Sequence, residues 1–193
     1  YFSTNFSFND RKSIEDYIGE TRLEEWLESQ EILTFEPYQA FISDISLEFT
    51  PGQKYMTEPN RKIILGSDYP TFTLRHSKGW ENLFRSDINY DYLEFTMNQD
   101  LLLGQFGHLI YKARVGDFFN TKKLQEIDAK RFRQSDPILY SNPLHSFQLL
   151  DTALITTNLF FEVHAIHHFN GALVNNIPLI KKTGVRLVAG GGF

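Results

Sequence analysis

The feature that most limits how this chain can fold is a period of two in side-chain polarity. In residues 41–50 the odd positions are mainly apolar, and the even positions from Asp44 onward are polar. Successive side chains of a β-strand point to opposite faces of a sheet, so this period predicts a strand with one apolar and one polar face. Pro51-Gly52 predicts the turn that ends the strand. The alternation recurs in residues 2–8, 71–78, 90–98, 109–116, 159–169 and 185–189.

Helical signal is confined to one place. Ser13-Ile14-Glu15-Asp16 resembles a capping box, so residues 11–30 are predicted to form a helical or irregular insertion between strands. No linker or repeat divides the chain, which predicts one antiparallel all-β domain over residues 1–193, with long loops. The chain starts at Tyr1 without a basic-then-apolar segment, so we expect a mature N-terminus or an internal fragment.

Composition narrows the classes of protein that fit this pattern. Aromatic residues make up 15% of the chain, whereas the mean hydropathy is -0.32. A phenylalanine-rich soluble core gives this combination, and so does a membrane β-barrel, in which alternate polar residues keep the mean hydropathy low. The chain has no cysteine, which excludes disulfide frameworks, thiolate catalysis and cysteine-ligated zinc. The net charge of -5 argues against nucleic-acid binding.

Three features favour a transmembrane β-barrel over a soluble sheet. Several strands are about 9–11 residues long, the length that a tilted strand needs to cross a bilayer. Their polar faces carry ionisable groups in mid-strand, as a polar barrel interior does. Aromatic side chains gather near strand ends, as in interfacial girdles; they are Phe49, Tyr69, Phe72, Tyr90, Phe118, Phe119, Phe160 and Phe169. About seven strands are too few to close a bacterial single-chain barrel, so we predict a segment of a larger barrel.

The two faces of the predicted strands carry the candidate functional residues. The residues expected to face lipid are Phe41, Ile45, Leu47, Phe49, Leu93, Phe95, Leu109, Tyr111, Val115, Leu159, Phe161 and Val163. The polar residues expected to face a lumen are Asp44, Glu48, Glu94, Lys112, Arg114, Glu162 and His164. Ion pairs among the second set explain its charges without catalytic chemistry.

The densest group of potential metal ligands is residues 160–171, FFEVHAIHHFNG. The alternation places His164 and His168 on one face but about 13 Å apart, at about 3.3 Å per residue. Zinc needs nitrogen ligands at about 2.0–2.1 Å, so one strand cannot supply the site. We therefore predict no metal and no cofactor, and expect hydrogen-bonded histidines to lock the loop after Phe169. A metal-dependent hydrolase that uses His164 and His168 with partners elsewhere stays open as an alternative.

No enzyme signature emerges elsewhere in the sequence. Glu48 and Glu94 could resemble the two catalytic carboxylates of a glycosidase. Ion pairs with cations such as Arg75 would account for the presence of these carboxylates without catalysis. The sequence contains no nucleophile elbow, phosphate loop or dinucleotide fingerprint. The basic residues around Lys130 are expected to form a solvated or headgroup-facing loop, and no nucleic-acid partner is predicted.

Several phrases, taken in order, resemble a known family. They are Pro51-Gly52-Gln53-Lys54-Tyr55, Pro59-Asn60-Arg61-Lys62, Leu65-Gly66-Ser67, Tyr69-Pro70-Thr71-Phe72, His167-His168-Phe169-Asn170-Gly171 and Asn176-Ile177-Pro178-Leu179-Ile180-Lys181-Lys182. Over residues 41–193 this order resembles the C-terminal barrel region of a Bacteroidota outer-membrane family of undefined function. Members of that family carry an N-terminal carboxypeptidase-regulatory-like domain, and the family is distantly similar to the barrel-assembly superfamily.

The resemblance implies an integral protein of the bacterial outer membrane without enzymatic activity. Such a protein would act in envelope biogenesis or protein transport as a component of a larger assembly. Its expected partners are outer-membrane lipid and other outer-membrane or periplasmic proteins. The residues themselves also leave open a soluble all-β domain that binds a glycan or a lipid.

Overall fold

The computed structural model describes residues 1–12, 36–59, 61–136, 141–150, 154–170 and 184–193. The strands in these ranges are β1 (Phe2–Arg11), β2 (Tyr38–Phe49), β3 (Lys54–Glu58), β4 (Arg61–Gly66), β5 (Thr71–Gly79), β6 (Asn89–Leu102), β7 (His108–Lys123), β8 (Lys130–Arg131), β9 (Ile155–Thr156), β10 (Phe160–His168) and β11 (Val188–Gly192). Short 3-10 turns occupy Leu83–Arg85, Gly104–Phe106 and Glu126–Asp128. Within the described ranges, no helix has the length and apolar character needed to cross a membrane.

Seven of these strands form one open sheet in the order β1-β2-β5-β6-β7-β10-β11. Every neighbouring pair is antiparallel. β3 and β4 form a separate hairpin in the connection between β2 and β5, and β8 pairs with β9. The predicted antiparallel all-β fold is therefore confirmed, and β1 and β11 are the edge strands of the sheet.

Across the middle of the sheet, the register gathers polar residues on one face and apolar residues on the other. One row across five strands consists of Glu48, Thr73, Thr96, Arg114 and Glu162. The adjacent row consists of Leu47, Leu74, Phe95, Val115 and Phe161. We call the side of the first row the polar face and the side of the second row the apolar face. The seven predicted lumen-facing residues lie on the polar face, and the predicted lipid-facing residues within the strands lie on the apolar face.

The burial of the two faces is the reverse of that in a water-soluble sheet. Leu47 and Phe161 on the apolar face are 51% and 59% exposed, whereas Glu162 and His164 on the polar face are 2% and 1% exposed. A soluble antiparallel sheet commonly packs its apolar face on the core and turns its polar face to water. Charged side chains are almost never fully buried unless they are paired, so the covered polar face has to supply partners.

The polar face is covered by part of the connection between β7 and β10. We call residues 124–150 the covering segment; residues 137–140 within it lie outside the described ranges. Phe132 packs edge-on against Phe160 with 5.6 Å between ring centroids, and Phe147 packs against His164 at 4.6 Å. The covering segment therefore lies directly on the β10 side of the polar face.

An aromatic cluster fills one end of the polar face. Its buried members are Tyr38, Ala40, Ile42, Ile88, Tyr90, Tyr92, Phe118 and Phe160. Gly116 makes room for the cluster, because a Cβ there would lie 2.8 Å from the Phe160 ring and 3.0 Å from the Tyr92 hydroxyl. The prediction that Tyr90, Phe118 and Phe160 belong to an interfacial girdle is wrong, because they point to the polar face and pack together there.

Some strand bounds differ from the predicted ones. Arg11, predicted to begin the insertion at residues 11–30, instead ends β1 opposite Tyr38; residues 13–30 lie outside the described ranges. β6 and β7 are 14 and 16 residues long, so they extend beyond residues 90–98 and 109–116. Backbone hydrogen bonds between neighbouring strands continue beyond the residues whose polarity alternates. The polarity pattern therefore underestimates the length of these strands.

Candidate functional site

Four charged side chains meet at the centre of the polar face. Glu162 of β10 lies opposite Arg114 of β7, and its Oε1 contacts the Arg114 Nε. Lys130 Nζ of the covering segment lies 3.6 Å from the same Oε1 and 3.5 Å from Oε2 of Glu94. The Glu162 and Lys130 side chains are only 3% and 12% exposed. Because an unpaired buried charge is strongly destabilising, each member of this central network depends on the others.

Two further contacts orient the central network, which consists of Glu94, Arg114, Lys130 and Glu162. The Tyr92 hydroxyl donates a hydrogen bond to Oε2 of Glu94 at 2.7 Å. Lys130 Nζ lies 4.6 Å from the centroid of the Phe160 ring, where the ring quadrupole attracts a cation. The central network is thus joined to the aromatic cluster through both Tyr92 and Phe160.

A second group of contacts holds the covering segment near the β1 edge of the sheet. Arg11 Nη2 lies 2.7 Å from Oδ1 of Asp128, and the Tyr38 hydroxyl donates to Oδ2 at 2.8 Å. The Asp128 side chain is 4% exposed. Burial raises the pKa of the Asp128 carboxyl above its ordinary value, although Arg11 and Tyr38 stabilise the charged form.

A separate ion pair joins two neighbouring strands of the polar face. Arg75 of β5 donates from Nε and Nη2 to Oδ1 of Asp44 on β2.

His164 fastens the covering segment to β10. Its Nδ1 lies 2.8 Å from the carbonyl oxygen of Pro143, so this nitrogen donates the hydrogen bond. The Phe147 ring packs on the same imidazole. This contact joins His164 to a part of the chain that precedes β10. The loop after Phe169, which the histidines were predicted to lock, lies outside the described ranges at residues 171–183.

His168 lies apart from His164, at the far end of β10. It packs against His108 with 5.9 Å between ring centroids. Nε2 of the intervening His167 donates to the carbonyl oxygen of Phe106 at 3.0 Å, which ties β10 to the turn after β6. Among the described residues, no three His, Asp or Glu side chains are grouped closely enough to hold a metal ion. His164 and His168 therefore belong to no such group in the described part of the chain.

Three cavities that described residues line follow one another along the polar face. The largest, of about 960 Å³, lies beside the β3–β4 hairpin, and Glu48 is one of its lining residues. A middle cavity of about 390 Å³ shares Asn98 with the largest one. A third cavity of about 260 Å³ shares Glu94 with the middle one. Glu48 and Glu94 line different cavities.

Sequence reasoning missed the role of Lys130. The expectation that it lies in a solvated or headgroup-facing loop is wrong, because its side chain is buried between Glu94 and Glu162. Within a polar, basic connection, the sequence does not distinguish a buried lysine such as Lys130 from a solvent-exposed one. Polarity alternation identifies the faces of strands, but it does not show which connection folds back over a face.

These features define an all-β domain built on an open antiparallel sheet with an exposed apolar face and a covered, charged polar face. The chain belongs to the family described as "Family of unknown function (DUF5686) C-terminal domain", whose match extends over residues 1–193. Comparisons with curated proteins and with solved structures give no match.

Proposed function

We propose that the sheet forms part of the wall of a β-barrel in the bacterial outer membrane. The apolar face contacts lipid, and the polar face lines a lumen that the covering segment fills. The observation that supports this most strongly is the inverted burial of the sheet: Leu47 and Phe161 are exposed while Glu162 and His164 are buried. Transmembrane barrels have this arrangement, with an apolar exterior and a polar interior.

The extent of the apolar face supports the same proposal. On β6 the apolar face carries Leu93, Phe95, Met97 and Leu101, and β6 is 14 residues long. A tilted strand needs about 9–11 residues to cross a bilayer, so residues 93–101 suffice. At one end of this band, Lys78 Nζ pairs with Asp91 at 2.8 Å, which marks where the polar surface begins.

One polar group inside the band has its hydrogen bond satisfied. The Tyr111 hydroxyl on β7 donates to Oε1 of Gln99 on β6 at 2.8 Å, and both side chains belong to the apolar face. Polar groups in hydrocarbon require such partners, because no water is present to replace them. The same rule requires that the outer edges of β1 and β11 be paired by other strands in the membrane.

The proposed biological role is structural rather than enzymatic. The family resemblance supports action in envelope biogenesis or protein transport as a component of a larger assembly, with outer-membrane or periplasmic proteins as partners. The central network supports a filled lumen, since it locks the covering segment to three strands of the wall. If the protein had the mass of a single chain after mild detergent extraction, the proposal that it belongs to a larger assembly would be contradicted.

Lipid contact can be tested with single cysteines, because the chain has none of its own. Leu47→Cys and Phe95→Cys place a fluorescent label on the apolar face, and Ser46→Cys and Asn98→Cys place it on the polar face. In vesicles with brominated acyl chains, we expect strong quenching at positions 47 and 95 and weak quenching at 46 and 98. Equal quenching at neighbouring positions, with the protein remaining in the aqueous extract, would instead favour a soluble all-β binding domain.

A further inference from the structure

The middle cavity contains a lysine, Lys112, that forms no ion pair with a carboxylate of the described residues. This cavity of about 390 Å³ lies between the polar face and the covering segment. It is lined by Thr73, Glu94, Thr96, Asn98, Ile110, Tyr111, Lys112, Leu144 and His145. Lys112 comes from β7, whereas His145 comes from the covering segment, so the cavity exists because the segment is in place.

Lys112 stands outside the ion pairs on the central part of the polar face. The cations there are Arg75, Lys112, Arg114 and Lys130, and the anions are Asp44, Glu48, Glu94 and Glu162. Arg75 pairs with Asp44, Arg114 pairs with Glu162, and Lys130 lies between Glu162 and Glu94. Among the described residues, no carboxylate lies within ion-pair distance of the Lys112 ammonium. The Lys112 ammonium therefore faces a cavity without an ion-pair partner in the described part of the chain.

Other lining groups add hydrogen-bond donors to the same cavity. Thr73 contributes a hydroxyl and Asn98 an amide, whereas the Thr96 hydroxyl already donates to Oε1 of Glu94 at 3.5 Å. Desolvation and the nearby Lys112 and Arg114 charges lower the pKa of His145, so its ring is neutral at neutral pH and offers one N–H donor. Donors grouped around a cation are the usual recognition elements for an oxyanion.

Glu94 limits which oxyanion fits. Its carboxylate lines the same cavity but is occupied by Lys130 and the Tyr92 hydroxyl. A second negative charge on the ligand would find no further Lys or Arg among the lining residues of this cavity and would be repelled by the Glu94 carboxylate, so a singly charged oxyanion matches the single Lys112 ammonium better. The cavity volume admits a small molecule.

We propose that the middle cavity binds the carboxylate group of a small ligand, with Lys112 as its counter-ion. This site does not depend on whether the apolar face contacts lipid, because the cavity lies on the polar face. The polar face and its covering segment therefore serve as a binding site for a small monocarboxylate.

The test is a titration of the full chain, folded in detergent, with trifluoroacetate followed by fluorine NMR. We expect saturable line broadening that acetate reverses at lower concentration than inorganic phosphate does. Lys112→Met should weaken the apparent affinity at least about tenfold, because it removes a charge-assisted hydrogen bond, whereas Lys112→Arg should retain binding. The control is Lys62→Met, which removes a lysine in the β3–β4 hairpin, 5.2 Å from the Tyr55 ring centroid.

Circular dichroism and heat-dependent gel mobility of each variant show whether it is folded. Absence of saturable broadening in the unaltered protein would overturn the proposal. So would equal affinity of folded Lys112→Met and the unaltered protein, or stronger displacement by phosphate than by acetate.

Discussion

On β10, Phe161 and Glu162 are consecutive residues, yet the first is 59% exposed and the second 2% exposed. Phe161 lies among apolar neighbours of the adjacent strand, such as Val115, and another large apolar side chain would serve equally well there. Glu162 instead meets Arg114 and Lys130 in one specific geometry. The difference shows that the apolar face depends on a general property, hydrophobicity, whereas the polar face depends on individual pairs.

The largest effect should come from breaking the central network. Glu162→Ala leaves Arg114 and Lys130 buried without their shared partner, which should destabilise the fold by about 3–5 kcal/mol. Denaturant unfolding in detergent measures this loss. Glu58→Ala is the control, because it removes an ion pair with Arg61 on the exposed hairpin and should cost less than about 1 kcal/mol. Equal effects of the two changes would show that the network does not depend on burial.

The next largest effect concerns the apolar face. Val163 lies opposite Ala113, in the row that includes Met97 at the middle of the apolar band. Val163→Arg should cost about 2–4 kcal/mol in a bilayer, because the charge would enter hydrocarbon near the midplane. Folding yield into vesicles and urea titration measure the change. Ile64→Arg is the matched control, since Ile64 is 64% exposed on β4 outside the band; indistinguishable behaviour of the two variants would argue against lipid contact.

Packing of the aromatic cluster gives a smaller effect. Gly116→Ala places a methyl group against the Phe160 ring and the Tyr92 hydroxyl, and overpacking of this kind should cost about 1–3 kcal/mol. Gly191→Ala on β11 meets no atom within 4 Å and should be nearly neutral. Thermal unfolding distinguishes them. A neutral Gly116→Ala variant would indicate that the rings of Tyr92 and Phe160 move apart easily.

The smallest effect concerns the link between His164 and the covering segment. His164→Phe keeps a ring against Phe147 but removes the hydrogen bond to Pro143, which should cost about 1 kcal/mol. Hydrogen exchange of residues 141–147 should accelerate, while that of the β2–β5 pair should not. Unchanged exchange in residues 141–147 would show that the remaining contacts hold the covering segment without this bond.

The comparison between the faces also separates what could be predicted from what could not. The alternation placed Leu47 and Glu48 on opposite faces correctly, because a strand has a fixed period and needs no knowledge of its neighbours. The expectation of an interfacial girdle misassigned Phe160, because an aromatic residue near a strand end is compatible with both a lipid interface and a covered interior. The alternation also gave no indication of Lys130, whose position depends on the path of a connection.

By itself, the sequence determined the seven strands of the main sheet, their antiparallel all-β character and the division of side chains between two faces, but not the β3–β4 hairpin or the short β8–β9 pair. These follow from local backbone geometry and short-range polarity. The tertiary structure alone decided that the polar face is the buried one and that residues 124–136 and 141–150 lie over it. It also decided that Lys112 faces a cavity with no ion-pair partner among the described residues. Those outcomes depend on contacts such as Lys130 with Glu162 and Pro143 with His164, which join residues that are distant in the chain. A periodic sequence pattern does not reveal such contacts.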